Sequence, residues 1–174
     1  METPSADGVS CMQRGKSLII TIDDWKFDID PEMTREHSAY SVVRHCTCAY
    51  CENYYRTVDY ACPGLKPFLG RFGADVEGPV EMFPFEPTIC LVSYRITGQI
   101  LEYGLAPIMV DRVPVLPKAE DGRQFKLEVG EIELPWVMLE DPNEVVSPAN
   151  EPEFLEQMYR RLAERRSGDF FICS

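Results

Sequence analysis

A chain of 174 residues with 45% apolar and 11% aromatic side chains has the length and hydrophobicity of one folded domain, not of a disordered segment. Its formal net charge of −12 argues against unaided binding to DNA, RNA or an anionic membrane, which are themselves polyanions, and suits a solubilising surface or a basic protein partner. The opening residues hold no apolar signal-peptide core and no run is long enough to span a membrane, while seven scattered cysteines, an odd count, point to free thiols in a reducing cytoplasm rather than a secreted disulfide framework.

Residues 1 to 15 are polar and aperiodic, with Pro4, Gly8 and Gly15, and are expected to form a flexible N-terminal arm. From Lys16 the pattern sharpens. Leu18, Ile20 and Ile22 alternate on even positions, then Trp25, Phe27 and Ile29 on odd ones. Strand side chains have period two, so the change of phase at Asp23-Asp24 predicts strand, turn, strand. A polar stretch from Asp30 to His37 follows with no element assigned, and Tyr40 to Arg44 reads as a short strand ending at a cysteine cluster. Residues 49–60 predict a helix of about three turns, because Tyr50, Tyr54 and Val58 recur at helical spacing beside Cys51 and Tyr55. Pro63-Gly64 stops it. A second short helix is expected at 65–72, with Gly73 as its C-cap.

Residues 79–103 predict β-structure: PVEMF, then TICLVSYRI, a turn at Thr97-Gly98, then QILEY. The segment 106–122 carries Pro107, Pro114 and Pro117 and is expected to be an extended connection or an edge strand. Phe125, Leu127 and Val129 alternate on odd positions, then Ile132, Leu134, Trp136 and Met138 on even ones, so a hairpin or bulge is expected at Gly130 with Trp136 on the inner face. A Pro- and Asp-containing linker at 141–152 leads to a helix at 153–166, capped by Asn150 and striped by Phe154, Leu155, Met158, Tyr159 and Leu162. Its arginines suit docking onto the acidic body of its own chain or of a neighbour. The whole reads as one α+β domain at 16–140, mainly an antiparallel sheet or partly closed barrel, with two short helices after the cysteine cluster and a C-terminal helix and tail at 153–174.

Cys46-Thr-Cys48-Ala-Tyr-Cys51 is the feature that carries chemistry. In an extended segment residues i and i+2 project to one face, so Cys46 and Cys48 converge. Cys48-x-x-Cys51 has the spacing by which a turn aims two thiolates at one zinc. Cys62, His45 or His37 could complete four ligands, which makes Cys46, Cys48, Cys51 and Cys62 the candidate zinc set, although a second ligand pair of recognisable spacing is missing. A redox reading competes, because Cys48 and Cys51 stand at a predicted helix N-terminus, where the dipole lowers a thiol pKa. Downstream, Glu86-Pro87-Thr88 loosely resembles the cis-proline segment of the thioredoxin family, but the family's Trp-Cys-Gly-Pro-Cys pattern is absent. The bland reading is that these cysteines are core, since free cysteine packs as a small hydrophobe.

One wider resemblance runs through Cys46, Cys48, Tyr50, Cys51, Asn53, Tyr54 and Tyr55, the short helix after them, and Leu134-Pro135-Trp136-Val137. Over residues 17–140 the chain is similar to a group of small uncharacterised bacterial proteins. These carry C-x-C-x-Y-C-x-N followed by two aromatic Phe or Tyr positions, and close with an L-P-W strand. The resemblance implies no catalytic residues.

Other chemistry falls to counting. With only His37 and His45, a Ser-His-Asp triad or a three-histidine zinc site is nearly excluded. His45 adjoins Cys46, which on a strand points the two side chains apart. Neither glycine-rich phosphate cradle is present. Asp23, Asp24, Asp28, Asp30 and Glu32 read as a solvated acidic face. The expectation is a non-enzymatic acidic interaction module, of the inhibitor or immunity kind, with a basic protein partner and no catalytic residue. The alternative is a zinc- or thiol-site protein built on the cysteines.

Overall fold

The computed structural model describes residues 17–142 except Val42 and Pro87. The expected N-terminal arm, most of the linker and the helix at 153–166 lie outside the described residues. The first hairpin forms where the change of phase placed it: β1 (Leu18–Ile22) pairs with β2 (Trp25–Ile29), Ile22 opposite Trp25. Asp23 adopts φ 50° in the two-residue turn, the left-handed conformation such hairpins demand and Asp tolerates.

The polar stretch that received no element is a helix, α1 (Pro31–Ala39). Its start signals are all present: the Asp30 carboxylate accepts from the Met33 N–H at 3.0 Å, Pro31 sits in the first turn and Glu32 complements the dipole. Its buried residues are Thr34 and Ser38, not an apolar stripe. Thr34 donates to the Asp30 carbonyl at 2.8 Å and accepts from the Thr97 N–H at 3.0 Å. Hydrogen bonds rather than hydrophobic burial fix this helix on the sheet. The segment Tyr40 to Arg44 is likewise not a strand. Tyr40 ends α1, and Val43–His45 form a single 3-10 turn. The chain is crossing between two helices there, and no strand in the described residues pairs with it.

Helices α2 (Ala49–Ala61) and α3 (Leu65–Gly70) fall as expected, α3 ending two residues early. Gly73 adopts φ 80°, and an added Cβ would run into the Pro31 carbonyl, so only glycine suits the position. The remaining strands are β3 (Glu81–Glu86), β4 (Ile89–Glu102), β5 (Ile108–Val110), β6 (Val113–Ala119) and β7 (Gln124–Glu133). The seven strands form one sheet of order β1-β2-β4-β7-β6-β5, with β3 also on β4 and every pairing antiparallel. The sheet stays open, so the barrel alternative is set aside.

Two strand features differ from expectation, and a third agrees with it. Thr97-Gly98 is not a turn, because β4 runs straight through it and changes partner there: Ile89–Thr97 face β7, and Gly98 begins the stretch that faces β2. Gly98 (φ 150°) lets the backbone approach the Asp28 carbonyl. The proline-bearing segment forms the β5–β6 hairpin, with Asp111 and Arg112 both at positive φ in its turn. β6 lies inside the sheet, and β5 is the edge. In β7 the bulge is real: Val92 faces Val129 but Cys90 faces Ile132, and Glu131 beside Gly130 takes φ 49°.

The core lies between the sheet and the helices α2 and α3. Phe27 meets Phe72 edge-on and stacks on Phe125, ring centroids 5.3 Å apart in both cases. Tyr54, Leu65, Leu69, Tyr94, Ile96 and Leu127 are fully buried around them, each such side chain contributing about 1.5–3 kcal/mol by leaving water. No helix among the described residues is long and apolar enough to cross a membrane.

Candidate metal centre

The approach to the cysteines is built by the turn before α2. The Cys46 N–H donates to the Val43 carbonyl at 2.9 Å, and the Tyr55 hydroxyl donates to that same oxygen at 3.0 Å. Arg44 leaves the turn for Asp75 at 3.2 Å and Glu77 at 3.4 Å. Cys48 occupies the N-cap position in extended conformation, its carbonyl accepting the Glu52 N–H at 3.0 Å. Its side chain makes no capping hydrogen bond, so its sulfur is left for other work. Cys51, in the first turn of α2, points into the protein.

The consequence is convergence. The Sγ atoms of Cys46, Cys48 and Cys51 all lie within 4.8 Å of one another. Tetrahedral zinc with bonds of about 2.3 Å needs sulfurs about 3.8 Å apart. Only a small contraction separates the cluster from a ligand set. The three differ in exposure: Cys46 is exposed, Cys48 half-buried and Cys51 buried. The proton affinities of Cys46 and Cys51 divide in the same sense. The Cys48 backbone N–H, helped by the neighbouring thiols, draws the Cys46 pKa below the ordinary thiol value. Burial, reinforced by the charge of Cys48, pushes the Cys51 thiol far above it.

Cys62 does not join them. It follows the last residue of α2, about 16 Å further along the helix axis than Cys51, and its Sγ lies 3.8 Å from the Val110 carbonyl. Burial there pushes its pKa up to about 11. Cys90 is buried too, at about 12. For these two the core reading of the cysteines holds. His45 is exposed beside Cys46 outside the sulfur group. His37 is on α1, its Nδ1 3.0 Å from Thr97 Oγ1. Cys11, Cys173 and Pro87 lie outside the described residues. With every pairing antiparallel, no strand–helix–strand crossover of the thioredoxin kind occurs among the described residues.

The remaining residues of the motif have work that sequence reasoning missed. Asn53, only 2% exposed, holds the segment after β7 from both sides: its Nδ2 donates to the Pro135 carbonyl at 3.1 Å, and its Oδ1 accepts the Val137 N–H at 2.9 Å. Tyr50 donates to the Pro142 carbonyl at 2.9 Å and meets the Trp136 ring edge-on at 5.3 Å. The Tyr54 and Tyr94 hydroxyls hydrogen-bond to each other and lie 3.3 and 2.9 Å from the Val76 carbonyl. Trp136 therefore belongs to this clamp and not to a strand. β7 stops at Glu133, and the indole is half-buried with Nε1 donating to the Glu140 carbonyl at 2.7 Å. The strand cannot continue because Pro135 lacks the N–H a ladder needs and Asn53 has taken the groups on either side.

The sequence offered both halves of the clamp, Asn53 within the cysteine motif and the Leu-Pro-Trp segment, but their pairing could be read only once the two were seen in contact. Comparison of the chain with protein-family models, with curated proteins and with solved structures returned no match.

Proposed function

We propose that this is a zinc–thiolate protein in which Cys46, Cys48 and Cys51 hold one ion at the N-terminus of α2. The observation that carries the reading is the gathering of three sulfurs within 4.8 Å by a turn, an N-cap and a first helical turn, each with its own backbone restraint. Thiolate ligands suit a soft or borderline closed-shell cation. The ion would tie the 43–48 segment, exposed at His45, Cys46 and Thr47, to α2 and so to the Asn53 clamp, giving it a structural role. Elemental analysis of protein purified without chelator or metal-affinity resin tests this, together with thiol titration of the same sample. Expected are about one zinc per chain and three thiols protected until a chelator is added. Metal-free protein whose cluster thiols react at once would refute it.

A second reading, an acidic interaction module for a basic protein of the inhibitor or immunity kind, draws support from charge placement. Lys26, Arg44, Arg56, Lys66, Arg95, Lys118, Arg123 and Lys126 are each engaged by carboxylates of their own chain. The surplus carboxylates then set the outward field. Binding to a basic partner should weaken steeply between low and physiological salt; a salt-independent affinity would count against it. The two readings are compatible, since the double change Cys48→Ser, Cys51→Ser should remove metal and leave such binding largely intact in folded protein.

A further inference from the structure

We infer that the cysteine cluster is an oxidation-sensitive site: a hydroperoxide oxidises Cys46, a neighbouring cluster thiol closes a disulfide onto it, and the bound metal is released. This rests on the metal reading above and names the regulation of the same site. Three observations carry it. The first is access. Cys46 is exposed, Cys48 half-buried and Cys51 buried, so an oxidant arriving from solvent meets Cys46 first.

The second is distance. A disulfide needs sulfurs about 2.05 Å apart on Cβ atoms separated by about 3.5–4.5 Å, and here both candidate partners of Cys46 have sulfurs within 4.8 Å. Cys46 and Thr47 belong to no helix or strand, whereas Cys51 is fixed in the first turn of α2. The loop can supply the shift while the helix stays in place. The third is selectivity. Cys62 and Cys90 are buried elsewhere in the core, so among the described residues Cys46 and Cys48 are the thiols a small oxidant can reach, with Cys51 held behind them.

The chemistry closes without further reagents. The Cys46 thiolate attacks the outer peroxide oxygen, the O–O bond breaks, and the leaving oxygen departs as alcohol or water after taking a proton. A second thiolate attacks the sulfenic sulfur; the S–S bond forms, and the S–O bond breaks with loss of water after a second protonation. Two thiolates, one hydroperoxide and two protons give one disulfide, one alcohol and one water. The ion loses two of its three thiolates and with them its affinity.

The test uses the full chain. Metal content is measured first, then hydrogen peroxide is added in the presence of a chromogenic zinc chelator. Free thiols are alkylated and mapped by peptide mass analysis. Expected is about one zinc released for each two thiols lost. The tryptic peptide 45–56, which contains all three cluster cysteines, should carry one alkyl group where the reduced control carries three, at a mass two hydrogens below that of the singly alkylated reduced peptide. Cys62 and Cys90 should remain reduced, and a dithiol reductant should restore zinc binding. Zinc present at the start but retained under peroxide, or thiol loss centred on Cys62 and Cys90, overturns the inference and leaves the metal reading standing. Absence of zinc at the start overturns that reading, and the metal-release switch goes with it.

Discussion

Replacing Asn53 with alanine removes both hydrogen bonds that hold the segment after β7, at 3.1 Å to the Pro135 carbonyl and 2.9 Å to the Val137 N–H. Each bond contributes about 0.5–1.5 kcal/mol net, and the groups left behind lose a partner in a half-buried setting. The expected cost is about 2–3 kcal/mol, a drop in Tm of roughly 4–12 °C for a domain of this size. Asn53→Asp sharpens the test. It preserves shape and the acceptor facing Val137, but sets a carboxylate oxygen against the Pro135 carbonyl in a position that is 2% exposed. A buried, unpaired charge costs more than a missing amide, so the aspartate variant should be the less stable of the two. Urea unfolding, followed by circular dichroism and by tryptophan fluorescence, measures both. An alanine variant within about 0.5 kcal/mol of the parent, or an aspartate variant as stable as the parent, would refute the clamp.

Trp136→Ala should cost about 1–2 kcal/mol, below the ~3–5 kcal/mol of a fully buried aromatic, because the indole is half-buried against Tyr50; a loss in the upper range by denaturant titration would return it to the core. Gly98→Ala should destabilise by about 2–4 kcal/mol, since φ 150° and the nearby Asp28 carbonyl leave a methyl no room; an unchanged Tm would remove the need for glycine at the partner switch of β4. Burial keeps Cys51 protonated well past the usual thiol range, so zinc loading at neutral pH should expel its proton, and affinity should rise with pH until that thiol ionises unaided. Titration calorimetry in two buffers of different ionisation enthalpy counts the protons, and no net release at neutral pH would contradict the ligand role of Cys51.

Elements that bury apolar side chains on a regular period were legible in the sequence, and elements held by polar contacts were not. The β1–β2 hairpin, α2 and the bulge in β7 each left a change or recurrence of hydrophobic phase. α1 left none. Its buried face is Thr34 and Ser38, and it is anchored through Thr34 to the backbone of β4, so only its cap, Asp30-Pro31-Glu32, could have announced it. The supposed turn at Thr97-Gly98 failed for a related reason. A glycine inside a strand marks either a reversal or a close backbone approach, and the choice depends on β2, some seventy residues earlier in the chain. The β-branched run around Val43 had strand propensity but no neighbouring strand to pair with, and propensity yields to such context.

The candidate centre shows the same division at finer scale. Spacing alone could bring Cys46, Cys48 and Cys51 together, since i, i+2 and i+3 relations across a loop-to-helix junction are local geometry. It could not choose a fourth ligand, because that depends on where a helix thirteen residues long delivers Cys62. Nor could it say why Tyr50, Asn53, Tyr54 and Tyr55 accompany the cysteines. The structure gives each a separate restraint: Tyr55 steadies the turn before Cys46, Tyr54 seats the helix on β4 through Tyr94, and Tyr50 and Asn53 grip the segment around Trp136. A metal at the head of α2 would therefore not act on a loop alone. It would stiffen the helix start from which two of those grips are made, so metal loading and the clamp should be energetically linked. That linkage predicts that Asn53→Ala lowers zinc affinity although Asn53 supplies no ligand, and an unaltered affinity would show the two to be independent features that merely share a helix.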